Sequence, residues 1–201
     1  MKTKAKPFIK WVGGKGQLIE QLEAKLPADF DNWDNATYIE PFVGGGAMLF
    51  YMLQQHPNIK RAVINDINSD LITCYRTVRD KVEELIPVLR DIQAQYYALP
   101  DMDAKREMFM AVRQRYNEKN LDPIENTAKF FFLNRTCFNG LYRVNKKGLF
   151  NVPCGKYMQP QICDEDTLRA DSELLKKVEI LEGDFENTLL CAQGKTLFYF
   201  D

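Results

Sequence analysis

Thr37-Tyr38-Ile39-Glu40-Pro41-Phe42-Val43-Gly44-Gly45-Gly46-Ala47-Met48-Leu49-Phe50-Tyr51-Met52-Leu53 reads as a strand, a glycine loop and a helix in direct succession. A second apolar strand, Ala62-Val63-Ile64-Asn65, follows and ends on an acid, Asp66. Open α/β sheets hold nucleosides with this unit. The glycines let backbone and ligand come close, and the acid, 22 positions after Gly44, is placed to bond a ribose diol.

A dinucleotide fingerprint requires a third glycine at position 49, which is Leu49 here. No pyrophosphate-cradling turn follows, so a nicotinamide-dependent oxidoreductase is disfavoured. A ribose-bearing cofactor without phosphates fits the loop, which points to S-adenosylmethionine. The neighbouring Gly13-Gly14-Lys15-Gly16 is no phosphate loop either, because glycine and not Ser or Thr follows the lysine.

The 201 residues suffice for one good core and a small subdomain. No apolar stretch approaches the ~20 residues of a membrane span, and Met1-Lys2-Thr3-Lys4 lacks an apolar signal core. Five cysteines (Cys74, Cys137, Cys154, Cys163, Cys191) without a Cys-x-x-Cys read as reduced thiols of a cytoplasmic protein. The lone histidine, His56, reads as a helix-end surface residue, so neither a metal site nor a Ser-His-Asp triad is expected. The net charge of −1 hides an asymmetry: residues 126–163 contain no acid and six bases, Lys129, Arg135, Arg143, Lys146, Lys147 and Lys156. Phe138, Tyr142, Phe150 and Tyr157 are interleaved with them, as on a nucleic-acid-binding face.

From Ser69, read as an N-cap, to about Asn134 the apolar spacing is helical, with Pro87 and Pro100 marking breaks or helix starts. Residues 141–153 read as a hairpin around Asn145-Lys146-Lys147-Gly148. Strand patterns return at Val178-Glu179-Ile180-Leu181 and Thr196-Leu197-Phe198-Tyr199-Phe200, and their continuous apolar character implies cover on both faces. The expected fold is α/β. Residues 1–69 and 172–201 form a Rossmann-like, cofactor-binding sheet domain, and residues 70–171 a mostly helical, basic insert carrying the hairpin.

Together these pieces resemble the Dam-type DNA adenine methyltransferases, in the alpha motif order. The likeness rests on residues 8–15, Glu40-Pro41-Phe42-Val43-Gly44-Gly45-Gly46, Asn65-Asp66-Ile67-Asn68, Leu133-Asn134-Arg135, residues 138–143, Phe150-Asn151-Val152-Pro153 and Gly155-Lys156-Tyr157. It implies methyl transfer from S-adenosylmethionine to the adenine amino group of double-stranded DNA, usually in GATC. It assigns Trp11, Lys15, Phe42, Gly44, Gly46, Asp66, Asp184, Phe185 and Asp201 to the cofactor, with Asp201 also catalytic. Phe138, Asn139, Leu141, Arg143, Pro153 and Lys156 fall to DNA. Tyr142, Val144 and Lys147 are positions where the family varies.

Family members carry Asp-Pro-Pro-Tyr after the fourth strand, and here Phe198-Tyr199-Phe200-Asp201 supplies the strand and the first letter. The expectation drawn from this is a fragment, or one half of a split enzyme with a complementing C-terminal piece, weak in binding and transfer when alone. A non-catalytic DNA-binding remnant and an RNA or small-molecule methyltransferase are the competing readings.

Overall fold

The protein, seen in a computed structural model, is described for residues 3–201. Strands β1 (Ala36–Glu40), β2 (Ile59–Ile64), β3 (Val178–Ile180) and β4 (Thr196–Phe198) form one parallel sheet in the order β3-β2-β1-β4. All five residues of β1 are buried, as befits a central strand covered on both faces, whereas β4 is half-buried throughout. Regular pairing in β4 stops at Phe198, two residues short of the apolar run, although the Tyr199 N–H still bonds the Ile39 carbonyl at 2.9 Å.

Short helix α1 (Ile19–Glu23) precedes the sheet, and α2 (Ala47–Gln55) connects β1 to β2. His56 ends α2 but is buried, only 6% exposed, with Nδ1 2.7 Å from Asp31 Oδ1. It is not the surface residue expected, because Phe30 packs edge-on against its ring.

The insert contains α3 (Ser69–Asp80), α4 (Val82–Ala98), α5 (Met102–Asn117) and α6 (Pro123–Thr136), and α7 (Glu165–Leu175) leads back to the sheet. The division drawn at 171/172 falls within α7. The cap of α3 is Asn68 and not Ser69: its side chain accepts the Leu71 N–H at 3.0 Å. Asp101 and Asp122 cap α5 and α6 in the same way, and Pro123 takes the first helical position. Pro100 lies between helices, but Pro87 sits inside α4. Its missing N–H leaves one carbonyl unpartnered, while burial of Leu85, Ile86, Leu89 and Tyr96 carries the helix through. Buried Lys105 donates to the Tyr96 and Leu99 carbonyls at 2.7 and 2.9 Å, which places a cation on the C-terminal end of α4.

Residues 141–153 form a looser hairpin than the alternation predicts. One antiparallel bridge, Val144 to Phe150, holds it, with the Asn145 N–H on the Leu149 carbonyl at 2.9 Å. Two strands with no sheet to extend and exposed residues 143–148 bury too little to lengthen the ladder.

Helix α6 is buried nearly all round and joins the insert to the rest. Its Phe131 ring stacks on Phe8 at 5.5 Å, and Phe8 meets Tyr75 of α3 edge-on at 5.0 Å. Asn134 accepts the Lys10 N–H at 2.8 Å and donates to the Lys10 carbonyl at 2.8 Å and the Gly140 carbonyl at 3.1 Å. Among the described residues, no helix is long and apolar enough to cross a membrane.

Asn134→Ala strands one buried N–H and two carbonyls, so an expected loss of about 1–3 kcal/mol should appear as a lower urea midpoint with unchanged slope.

Candidate active site

The chain runs from β1 to β2 and β3 on one side, while β4 lies on the other side of β1. The gap beyond the carboxyl ends of β1 and β4 is therefore a topological switch point, where open sheets bind ligands. The principal cleft opens there. Its floor and walls include Trp11, Lys15, Glu40, Phe42, the Gly44–Gly46 loop, Asp66, Tyr199 and Asp201, so seven expected site residues share one cavity of about 240 Å³.

The glycines are needed where they stand. Gly44 has φ +49, and a Cβ on it would lie 2.8 Å from Trp11 Cδ1. Gly46 has φ +71, and a Cβ there would lie 2.5 Å from the Tyr75 hydroxyl, which donates to the Gly44 carbonyl at 3.0 Å. The loop is thus clasped between an indole and a phenol, in a conformation that only glycine adopts without strain. Asp66 accepts the Gly44 N–H at 3.2 Å through Oδ2 and the Asn68 N–H at 3.0 Å through Oδ1. Two backbone donors fix the carboxylate, and its remaining lone pairs can take a diol.

Lys15 forms an ion pair with Asp201 and donates to the Gly13 carbonyl at 2.9 Å. Asp201 approaches Glu40 because β4 pairs with β1, Phe198 opposite Ile39. Glu40 is a cleft residue that sequence reasoning quoted as the end of a strand and the start of a family motif, without giving it a role. It is 2% exposed and takes the Tyr38 hydroxyl as donor. Burial, reinforced by the charge of Asp201 against the opposing Tyr38 bond, pushes its carboxyl up to about 8. The signal available beforehand was an acid at the carboxyl end of a strand otherwise buried on both faces.

Asp184 and Phe185 do not line this cleft. Asp184 is exposed and accepts the Glu186 N–H at 2.9 Å, and Phe185 lies against Phe42 with ring centres 5.4 Å apart. Their turn is nonetheless tied to the Asp66 side, since the Gly183 N–H bonds the Asp66 carbonyl at 3.1 Å and Asn65 donates to the Gly183 carbonyl at 3.0 Å.

The residues expected to meet DNA fall on a segment that rests against the N-terminal arm. Phe138, Asn139, Arg143, Pro153 and Lys156 are exposed and Leu141 is half-buried. Asn139 takes φ 53, which turns the chain sharply between Phe138 and Gly140. A Cβ on Gly140 would meet Lys10 Cδ at 2.4 Å, so this loop rests directly on the arm that carries Trp11. Arg143 is pre-oriented, its Nε on Asn151 Oδ1 at 2.8 Å and Nη2 on the Asn151 carbonyl at 3.2 Å. Among the described residues, no group of three or more His, Cys, Asp or Glu is arranged to hold a metal.

A parallel sheet with a glycine loop and ribose-type acid at its switch point defines a protein of the S-adenosylmethionine-dependent methyltransferase fold. The family model of the D12 class N6 adenine-specific DNA methyltransferases matches residues 11–201. The chain is 46% identical over 198 residues to a type II methyltransferase, M.MjaIII, of Methanocaldococcus jannaschii, covering 98% of this chain and 68% of that protein. It is 37% identical to the type II methyltransferase M1.LlaDCHI of Lactococcus lactis subsp. cremoris (100% and 66%) and 34% identical to the DNA adenine methylase of Haemophilus influenzae (100% and 64%). The chain thus spans about two thirds of the length of these relatives, and it belongs to the D12 class N6 adenine-specific DNA methyltransferases.

A pH dependence follows from the two buried acids. Burial pushes Glu40 up to about 8 and Asp171, fully buried on α7, likewise up to about 8, from ordinary values of 4.5 and 3.8. Between those limits the folded chain holds protons that the unfolded chain has released, so stability falls as pH rises. Below about pH 4 the paired acids Asp70, Asp80 and Asp164, which are held low, lose their contribution. The thermal midpoint should therefore be highest near pH 4 and several degrees lower near pH 9, with the fall between pH 4 and 8 reduced in Glu40→Gln.

Proposed function

We infer that this protein methylates the adenine amino group of duplex DNA, with S-adenosylmethionine as donor and GATC as target. The observation that carries the reading is one switch-point cleft holding Lys15, Asp66 and Asp201 directly beside an exposed, acid-free arm that presents Arg143. The relative from Haemophilus influenzae, named a DNA adenine methylase, supports the same target class. The five thiols are all free, which supports a reduced cytoplasmic setting.

The residues fit the donor on their own chemistry. Asp66 takes the ribose diol and Lys15 the carboxylate, leaving its present partner Asp201. Gly44 and Gly46 admit the ligand to the backbone, Trp11 and Phe42 offer aromatic faces to a cation, and Asp184 and Phe185, beside Phe42 and outside the cleft, are given to the donor's adenine by the family resemblance alone. When bound, S-adenosylmethionine supplies an electrophilic methyl on a sulfonium.

The lone pair of the adenine amino group is delocalised into the ring and is a poor nucleophile. The Asp201 carboxylate accepts an amino hydrogen and favours the tetrahedral nitrogen that attacks in line. The base must leave the duplex to reach it, which assigns Phe138 to the wedge or stack. Arg143 and Asn139 suit guanine and adenine edges, Leu141 and Pro153 make apolar contacts, and Lys156 meets phosphate.

The test is labelled-methyl transfer to a GATC duplex and a scrambled duplex, run beside thermal protection by S-adenosylhomocysteine. Incorporation into the GATC duplex alone is the expected result. Protection without incorporation sinks the catalytic reading and keeps the donor, while no protection sinks the donor. Asp66→Asn should weaken S-adenosylhomocysteine binding about tenfold or more by loss of a charge-assisted bond. Arg143→Ala should erase about 1–3 kcal/mol of preference for GATC, whereas Lys156→Ala should weaken both duplexes alike.

A further inference from the structure

Tyr142 packs against Trp11, a residue of the cleft wall. Its ring stacks on Trp11, with centres 5.4 Å apart and planes 23° apart, and also on Phe130 at 5.3 Å and 27°. Its hydroxyl donates to Asp70 Oδ2 at 3.1 Å. The same carboxylate oxygen accepts the Tyr116 hydroxyl at 2.6 Å and Lys119 Nζ at 2.7 Å, so α5, the residue pair after it and the hairpin arm converge on one acid in the first turn of α3. That turn begins at Asn68, whose N–H bonds Asp66. Tyr142 therefore touches the Trp11 wall directly and the Asp66 wall through Asp70 and the start of α3.

Along the chain it sits between Leu141 and Arg143, both read above as base contacts. The segment they belong to is otherwise held through residues 150 and 151, by the bridge between 144 and 150 and the bonds of Arg143 to Asn151, while residues 143–148 are exposed. The Tyr142 ring packs on a residue of the cleft wall, and its hydroxyl is satisfied by a carboxylate one helical turn from Asp66.

We propose that Tyr142 is a positioning residue that couples occupancy of the cofactor cleft to presentation of Leu141 and Arg143 to DNA. The proposal rests on the donor and duplex assignments made above. A ligand that immobilises Trp11 and Asp66 immobilises both supports of Tyr142, and the ordering cost of residues 141–143 is met before DNA arrives. Coupling of this kind is reciprocal, so the cofactor must tighten DNA binding by the same factor by which DNA tightens cofactor binding.

The experiment measures affinity for a GATC duplex with and without saturating S-adenosylhomocysteine, and affinity for S-adenosylhomocysteine with and without the duplex. It compares the wild type, Tyr142→Leu and Tyr142→Phe. The wild type is expected to show a coupling factor of about fivefold or more, equal in both directions. In Tyr142→Leu the factor should fall to about one while each ligand still binds alone. Tyr142→Phe keeps the stack but releases Asp70, and should lose at least half of the factor; it carries the test if the leucine variant does not fold.

Wild-type binding of both ligands without coupling, or full coupling in Tyr142→Phe, would overturn the proposal while leaving the donor and duplex assignments intact. Failure of wild type to bind S-adenosylhomocysteine or duplex at all overturns those assignments and this proposal with them.

Discussion

Everything functional in this molecule depends on β1 being hydrogen-bonded on both sides to parallel strands reached in opposite directions. With β2 on one edge and β4 on the other, the loop that leaves β1 has no strand-to-strand connection covering it. The Gly44–Gly46 turn is thereby left open to a ligand, and Asp66 from β2 and Asp201 from β4 are brought to its two sides. The same pairing puts Glu40 next to Asp201, and the cost of ionising a fully buried carboxylate there holds the Glu40 carboxyl protonated up to about pH 8. Lys15 is the cation that pairs with Asp201 there.

The second constraint is the N-terminal arm. Residues 8–15 are not part of the sheet, yet residues 11–15 form one wall of the cleft and Lys10 seats the loop at 138–140. Asn134 holds the arm by satisfying both backbone groups of Lys10, and Phe131 holds it by stacking on Phe8. Because both residues lie on α6, the helix at the centre of the insert also sets where Trp11 stands. The Trp11 wall of the cleft and the segment at 138–143 share one support, which explains how Tyr142 comes to pack on Trp11.

Much of the site was legible from residues alone. The glycine loop, the downstream acid and the absence of a third glycine have direct chemical meanings that need no coordinates, and the acid-free run marked the exposed basic arm. Helix termini were less legible. Asn68 and Ser69 are both good caps, and only the geometry of the turn shows that the Asn68 side chain reaches the Leu71 N–H. Pro87 is a breaker by propensity, but the burial of its neighbours outweighs one missing hydrogen bond. His56 looked superficial because a single histidine after a helix carries no periodic signal, and the packing of Phe30 on it comes from a segment 26 residues earlier.

The sequence by itself determined the chemistry of the cleft, since a glycine conformation, a carboxylate and a lysine keep their properties wherever they are carried. It also determined the alternation of strand and helix, because apolar periodicity is a local property of the chain. Only the tertiary structure decided which of those groups meet. The β1–β4 pairing joins residues about 160 positions apart, the stack of Trp11 on Tyr142 joins the arm to the insert, and Asp70 gathers three partners from α5, its end and the hairpin. Such encounters follow from long-range packing, whose outcome depends on every other element finding its place, and no local pattern of residue types encodes it.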